Sequence, residues 1–173
     1  LKGKITTPED KWSIDMSVFE WKKQWYAIWS GWPNDINGTQ AIYIAKMKNP
    51  WTIEGPRAVV STPELPWERI DERFKHEGPN GEVKHVYVNE GPEALIHDNR
   101  LFVVYSASGC WTDHYSLGVV ELKKGADPMN TKAWVKNPKA QFVTDPDAKA
   151  FSPGHNGFFT SPDGKQNWLV YHA

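Results

Sequence analysis

A hairpin motif that recurs three times constrains the fold of this chain more than any other feature. The first copy runs through Val18-Phe19, a polar turn at Lys22-Lys23, and Trp25-Tyr26-Ala27-Ile28-Trp29-Ser30. The second passes from Ala94-Leu95-Ile96 through Asp98-Asn99 to Leu101-Phe102-Val103-Val104-Tyr105-Ser106. The third joins Gly157-Phe158-Phe159, a turn at Pro162-Asp163-Gly164, and Trp168-Leu169-Val170-Tyr171-His172. Each copy is a pair of β-branched or aromatic runs around a polar break, the sequence pattern of a β-hairpin. Apolar residues at helical spacing are scarce, so the chain reads as all-β.

Matching segments follow the first two hairpins. Ile42-Tyr43-Ile44-Ala45-Lys46-Met47 before Asn49-Pro50-Trp51 parallels Leu117-Gly118-Val119-Val120-Glu121-Leu122 before Asp127-Pro128. The repeat unit therefore holds about four short strands, and such units arranged around an axis make the blades of a β-propeller. A two-sheet sandwich is the rival arrangement. Trp29 to Tyr105 is 76 residues and Tyr105 to Tyr171 is 66. Both exceed the common propeller repeat of roughly 40 to 50 residues, so sizeable loops are inserted. Glu68 to Lys84, with Gly78-Pro79-Asn80-Gly81 at its tip, is expected to be one such polar loop. The third copy stops at Ala173 after its first hairpin. Residues 1–173 are expected to form an incomplete propeller domain of roughly two and a half blades.

Charge and composition remove several classes of function. Twenty Lys and Arg against 21 Asp and Glu leave a net charge of −1, without the basic excess that phosphate backbones require. No nucleic-acid partner is expected. No apolar run approaches the roughly 20 residues of a membrane span, so no membrane insertion is expected. Cys110 is the single cysteine, which rules out an intrachain disulfide and leaves the redox compartment open. The first residue is Leu1 rather than Met, so a missing leader carries no information. Ten Trp, six Tyr and seven Phe supply flat rings of the kind that stack on sugar faces. Most of these rings are expected to fill the sheets instead.

Aligning the hairpins brings three polar residues to nearly one position at the start of each first strand. Asp15 precedes Trp29 by 14 residues, Glu90 precedes Tyr105 by 15 and His155 precedes Tyr171 by 16. The innermost strands of a propeller line its channel, so such positions converge at one end of it. Two carboxylates and an imidazole suit glycosidic cleavage, which needs a protonated acid at the leaving oxygen and a carboxylate serving the other face. Each residue also has a plainer reading. Asp15 could bond its own backbone in a turn, Glu90 could be a solvated charge with Glu93 as its rival, and His155 could be a structural histidine.

The ordered set of motifs resembles glycoside hydrolase family 43, and within it the exo-acting α-L-arabinofuranosidases. The resemblance rests on Trp12-Ser13-Ile14-Asp15, Trp29-Ser30-Gly31-Trp32, Asn89-Glu90-Gly91-Pro92 and Tyr105-Ser106-Ala107-Ser108-Gly109-Cys110-Trp111. It continues through Tyr115-Ser116-Leu117-Gly118, Gly154-His155-Asn156-Gly157-Phe158 and Ser161-Pro162-Asp163-Gly164 to Tyr171-His172-Ala173. It implies a five-bladed propeller and an inverting mechanism run by three acidic residues. By position Glu90 resembles the general acid and Asp15 the residue that modulates its pKa. Trp32 and Trp111 are candidate walls of the sugar pocket. His155 resembles a channel histidine that contacts substrate or lies beside a metal ion, often calcium, or its water shell. No cofactor is required beyond that possible structural calcium.

The chain departs from the family pattern at the general base, an aspartate early in the first blade. Asp10 is the only aspartate upstream of Asp15, and it lies in the loop-like Thr7-Pro8-Glu9-Asp10-Lys11. The isolated 173-residue piece is therefore expected to be inactive. The resemblance implies a secreted enzyme that releases L-arabinofuranose from plant cell-wall arabinan or arabinoxylan. A β-xylosidase or endo-arabinanase of the same family is an alternative, because loops set substrate choice. A non-catalytic carbohydrate-binding propeller is another.

Overall fold

The computed structural model describes residues 3–70, 75–77 and 83–173. Its architecture is all-β, as the hairpin pattern requires. Strands β1 (Ser13–Trp21), β2 (Gln24–Gly31), β3 (Ala41–Asn49) and β4 (Thr52–Ser61) form an antiparallel four-stranded sheet in sequential order. A small hairpin, β5 (Lys75–Glu77) with β6 (Val83–His85), follows. The second four-stranded sheet takes β7 (Asn89–His97), β8 (Arg100–Ala107), β9 (Ser116–Leu122) and β10 (Trp134–Lys136), again in sequential order. The third hairpin is β11 (Gly154–Thr160) with β12 (Asn167–His172). Two four-strand meanders and a further hairpin are the repeat units read from the sequence, arranged as propeller blades.

Two-residue turns set the register of the first two hairpins. Trp21 pairs with Gln24 across Lys22 and Lys23, whose φ angles are 49° and 66°. His97 pairs with Arg100 across Asp98 and Asn99, at 49° and 56°. Left-handed backbone at both central residues is the turn whose twist matches that of the strands. Asp and Asn tolerate this region well, whereas two lysines do so at a cost.

Side chains alternate across each strand, so every blade has two faces. From β2 and β3, Tyr26, Ile28, Ile42 and Ile44 face the second blade and pack with Leu101, Val103, Tyr105, Val120, Leu122 and Trp134 in the main core. The opposite face of the first blade gathers Trp29, Tyr43 and Met47 with Ala27, Ala41 and Ala45. The first strands β1, β7 and β11 lie side by side, β7 touching both others. By contrast, Trp168, Leu169, Val170 and Tyr171 of β12 remain exposed, because no third strand pairs with β12 among the described residues.

The segment beginning at Glu68 departs from its expectation. Pro66–Glu68 forms a 3-10 turn, and Glu68 is fully buried. Its side chain reaches into the space between the blades, where lysine, tyrosine and asparagine partners offset the cost of burying a charge. The expected loop tip, Gly78-Pro79-Asn80-Gly81, lies outside the described residues.

Candidate active site

Three β-bulges build the site. In β1 the register shifts between Ile14 and Ser17, so Asp15 and Met16 together oppose Trp29. In β7 it shifts between Glu90 and Glu93, leaving Gly91 and Pro92 opposite Tyr105. In β11 it shifts between Gly154 and Gly157, leaving His155 and Asn156 opposite Tyr171. The first residue of each bulge has a positive φ: 56° at Asp15, 53° at Gly91 and 48° at His155. An extra residue bends its strand and re-aims the side chains around it.

The bulges refine the sequence alignment. Asp15 and His155 are equivalent, as expected, but the third member of that set is Gly91. Glu90 sits one residue earlier, in register opposite Ser106, where the other blades have Ile14 and Gly154. Spacing to the aromatic residue at the hairpin exit could not separate the two, since one extra residue per strand leaves no mark on composition.

Asp15 and His155 nevertheless meet at Gly91, the residue that follows Glu90. The Gly91 N–H donates to Oδ2 of Asp15 at 3.0 Å. A Cβ at position 91 would stand 3.2 Å from His155 Cγ, so the His155 ring packs close to this residue. The His155 N–H in turn donates to Ser106 Oγ at 2.7 Å, opposite Glu90. Only glycine combines this left-handed backbone with so close an approach.

Glu90 is 7% exposed, and its Oε1 accepts a hydrogen bond from the Tyr115 hydroxyl at 2.8 Å. Burial pushes the Glu90 carboxyl above the usual range and the negative charge of Asp15 adds to this, while Tyr115 and His155 oppose it. Tyr115 is itself buried, its hydroxyl pushed far up by burial and by Glu90, so it stays a donor. The ring stacks on His172 at 5.6 Å, and a Cβ at Gly154 would stand 2.1 Å from it. The third hairpin therefore clamps the donor that touches Glu90. Glu93 lies just past the bulge and is also pushed up by burial, while the nearby Ser17 hydroxyl, which donates to the Pro92 carbonyl at 3.0 Å, opposes this.

The aromatic candidates divide. Trp32 is half-buried under Trp12, the rings stacked at 4.5 Å and 19°. Trp12, 39% exposed, presents the outward face and lines a cleft of about 470 Å³ together with Asp15. Motif spacing singles out Trp32, whereas Trp12 is the more exposed ring of the stack. Trp111 is half-buried over Gly109, in a loop that also holds Cys110. The Cys110 thiol is pushed up by burial and by the charges of Glu90 and Asp15, which puts this loop beside the carboxylates.

Asp10 lines the same cleft as Trp12 and Asp15 but is not hydrogen-bonded to Asp15, Glu90 or His155. It is exposed, and its carboxylate accepts from Lys4 Nζ at 2.5 and 2.8 Å and from Thr6 at 2.7 Å, which hold it below the usual range. As for a cation, the described residues contain no group of three or more His, Cys, Asp or Glu side chains able to hold one. A single imidazole does not meet the several oxygen ligands that calcium takes. Asn156, next to His155, is buried, and its side-chain amide has no hydrogen-bond partner among the described residues.

Comparison with known proteins agrees with this architecture. Residues 1–173 match the family described as Glycosyl hydrolases family 43. Alpha-L-arabinofuranosidase 43 of Humicola insolens is 37% identical over 173 residues, which is 99% of this chain and 33% of that protein. An extracellular exo-α-(1→5)-L-arabinofuranosidase of Streptomyces chartreusis is 34% identical over 99% of this chain and 48% of its own length. The crystal structure of an α-L-arabinofuranosidase from Lactobacillus brevis superposes with a TM-score of 0.81 at 34% identity, covering 98% of this chain and 47% of that one. The chain thus spans a third to a half of the relatives it matches. Among the described residues no helix is long and apolar enough to cross a membrane.

Proposed function

Given that the chain belongs to glycosyl hydrolase family 43, we propose that the protein carrying it removes L-arabinofuranose from plant cell-wall arabinan or arabinoxylan. The work is done outside the cell, as the name of the Streptomyces relative states for that protein. The blades described here belong to a five-bladed propeller. Glu90 is the general acid, Asp15 modulates its pKa, and Trp12 with Trp32 and Trp111 borders the sugar.

One observation carries the reading: Glu90 is a buried carboxyl, pushed up by burial and by Asp15, at the meeting point of three bulges. An acid must hold its proton near the working pH to be useful, and raising its pKa provides that. In the reaction the bond from the anomeric carbon to the leaving oxygen breaks as the Glu90 proton moves to that oxygen. Water attacks the anomeric carbon from the opposite face and gives its proton to a general base, which inverts the centre. Asp10, exposed and paired with Lys4, lacks the first-blade strand setting of the family's base, so we assign the base to a part of the protein other than residues 1–173 and expect those residues alone to be inactive.

Nitrophenyl α-L-arabinofuranoside, nitrophenyl β-xyloside and linear arabinan, offered to the full-length protein, test the assignment. Release of arabinose from the first supports it; preference for xyloside, or internal cuts in arabinan, moves the activity to a sister specificity. Arabinan binding with no turnover of any of the three marks a carbohydrate-binding propeller instead. On arabino-oligosaccharide, whose sugar leaving group needs protonation, Glu90→Gln should lower kcat by about 10²- to 10⁴-fold with KM little changed. The same loss from Glu93→Gln with Glu90→Gln active would transfer the acid role to Glu93.

A further inference from the structure

We propose that Glu68 is the positioning residue for Glu90, acting through Asn89 and Tyr105 on both flanks of the acid; this rests on the reading of Glu90 as the general acid. Glu68 is fully buried, and its two oxygens accept six hydrogen bonds. Oε2 takes the N–H groups of Glu64 at 2.9 Å and Leu65 at 2.8 Å. Oε1 takes Asn89 Nδ2 at 3.1 Å and the Tyr105 hydroxyl at 2.8 Å. Lys136 Nζ bonds both oxygens, at 2.8 and 2.9 Å.

The two partners of Oε1 bracket the acid. Asn89 immediately precedes Glu90, and Tyr105 is the residue that opposes the bulge immediately after it. Asn89 is in turn fixed to the first blade: its Oδ1 accepts from Ser61, its carbonyl from Ser30, and its N–H donates to Gln40. A single carboxylate oxygen thus sets where the strand carrying Glu90 enters its kink, relative to the blade that carries Asp15. Errors of about 1 Å in such placement can cost about 10²-fold in rate. Glu68 is fully buried with both oxygens taken up by these partners, so it acts on the reaction through them.

The test uses how much protonation each leaving group needs. A dinitrophenolate leaves without an acid, whereas a sugar alcohol does not. On the full-length enzyme, Glu68→Gln is expected to lower kcat for an arabino-oligosaccharide roughly 10- to 100-fold and for dinitrophenyl arabinofuranoside less than about threefold, with KM unchanged. Asn89→Ala, which cuts the link to β7 but keeps the Glu68–Lys136 pair, should show the same pattern if Glu68→Gln folds poorly. Adding Lys136→Met to Glu68→Gln removes the orphaned ammonium; the double variant should recover thermal stability and still discriminate between the two leaving groups. Equal losses on both substrates, or recovery of oligosaccharide turnover along with stability, would overturn the proposal. Glu90→Gln serves as the reference: without leaving-group dependence there, it is the acid assignment itself that fails.

Discussion

Oδ2 of Asp15 accepts the backbone N–H of Gly91 at 3.0 Å, which fastens a carboxylate on one blade to the residue following Glu90 on the next. The bond fixes the separation of the two carboxyl groups, and the charge of Asp15 adds to burial in pushing the Glu90 carboxyl up. The bond also needs the Gly91 amide in the orientation that a φ of 53° gives.

Gly91→Ala is accordingly expected to damage both stability and turnover. The new Cβ would meet His155 Cγ at 3.2 Å and its Cα at 3.4 Å, and the left-handed backbone adds about 1–2 kcal/mol of its own. A Tm several degrees lower, with kcat/KM reduced about tenfold or more, is the expected result. An alanine variant with unchanged Tm and rate would show that the approach of His155 to this residue is not needed.

The pH profile should respond to two substitutions in opposite directions. Tyr115→Phe removes a donor to the ionised Glu90, so the acid holds its proton to higher pH and the basic limb of kcat/KM moves up. Asp15→Asn keeps an acceptor for Gly91 and removes the negative charge, so the same limb moves down. Profiles of the two variants beside the parent enzyme decide; shifts in the same direction would contradict the arrangement.

Much of this was legible in the chain, and the illegible part has identifiable causes. The hairpins at Val18–Ser30 and Ala94–Ser106 are readable because alternating apolar runs end at two-residue turns. Asp15, Glu90 and His155 could be grouped because each precedes such a hairpin by a similar distance. The one-residue offset of Glu90 could not be read, because a bulge lengthens a strand without a compositional sign. Glu68 read as loop because its partners Asn89, Tyr105 and Lys136 are distant in sequence. The one local hint was an apolar Leu65-Pro66-Trp67 just before a glutamate that turns back on the Leu65 N–H.

Glu90→Gln should stabilise the fold while sharply lowering turnover of arabino-oligosaccharide. The folded-state pKa lies above the unfolded value of about 4.3, so the native state is penalised once pH exceeds that value and fully so above the folded pKa. A neutral Gln escapes the penalty and can still accept from Tyr115. The variant should melt higher at pH 7, and the advantage should fade on acidification and vanish below about pH 4. A lower Tm at pH 7 would mean that the ionised form is well solvated in the site.

The turn at Lys22 and Lys23 is a place where stability can be gained. Both residues hold left-handed backbone without the side chains suited to it. Lys22→Asn with Lys23→Gly supplies the preferred pair and should raise stability by about 1 kcal/mol, with no change in kcat or KM. Thermal denaturation of the double variant is the measurement, and a decrease would point to the ammonium of Lys22 over the Trp21 ring as the stronger contribution.

The kink shared by β1, β7 and β11 separates chemistry from scaffold. Its geometry comes from residue count: Asp, Gly and His occupy it in the three blades with the rest of each hairpin paired alike, although at position 91 the approach of His155 favours glycine. A single codon change can rewrite one reactive group at the hub. Deleting one residue there would instead turn every side chain nearer the strand start onto the wrong face. Such a scaffold tolerates exchange of reactive groups far better than it tolerates changes in length.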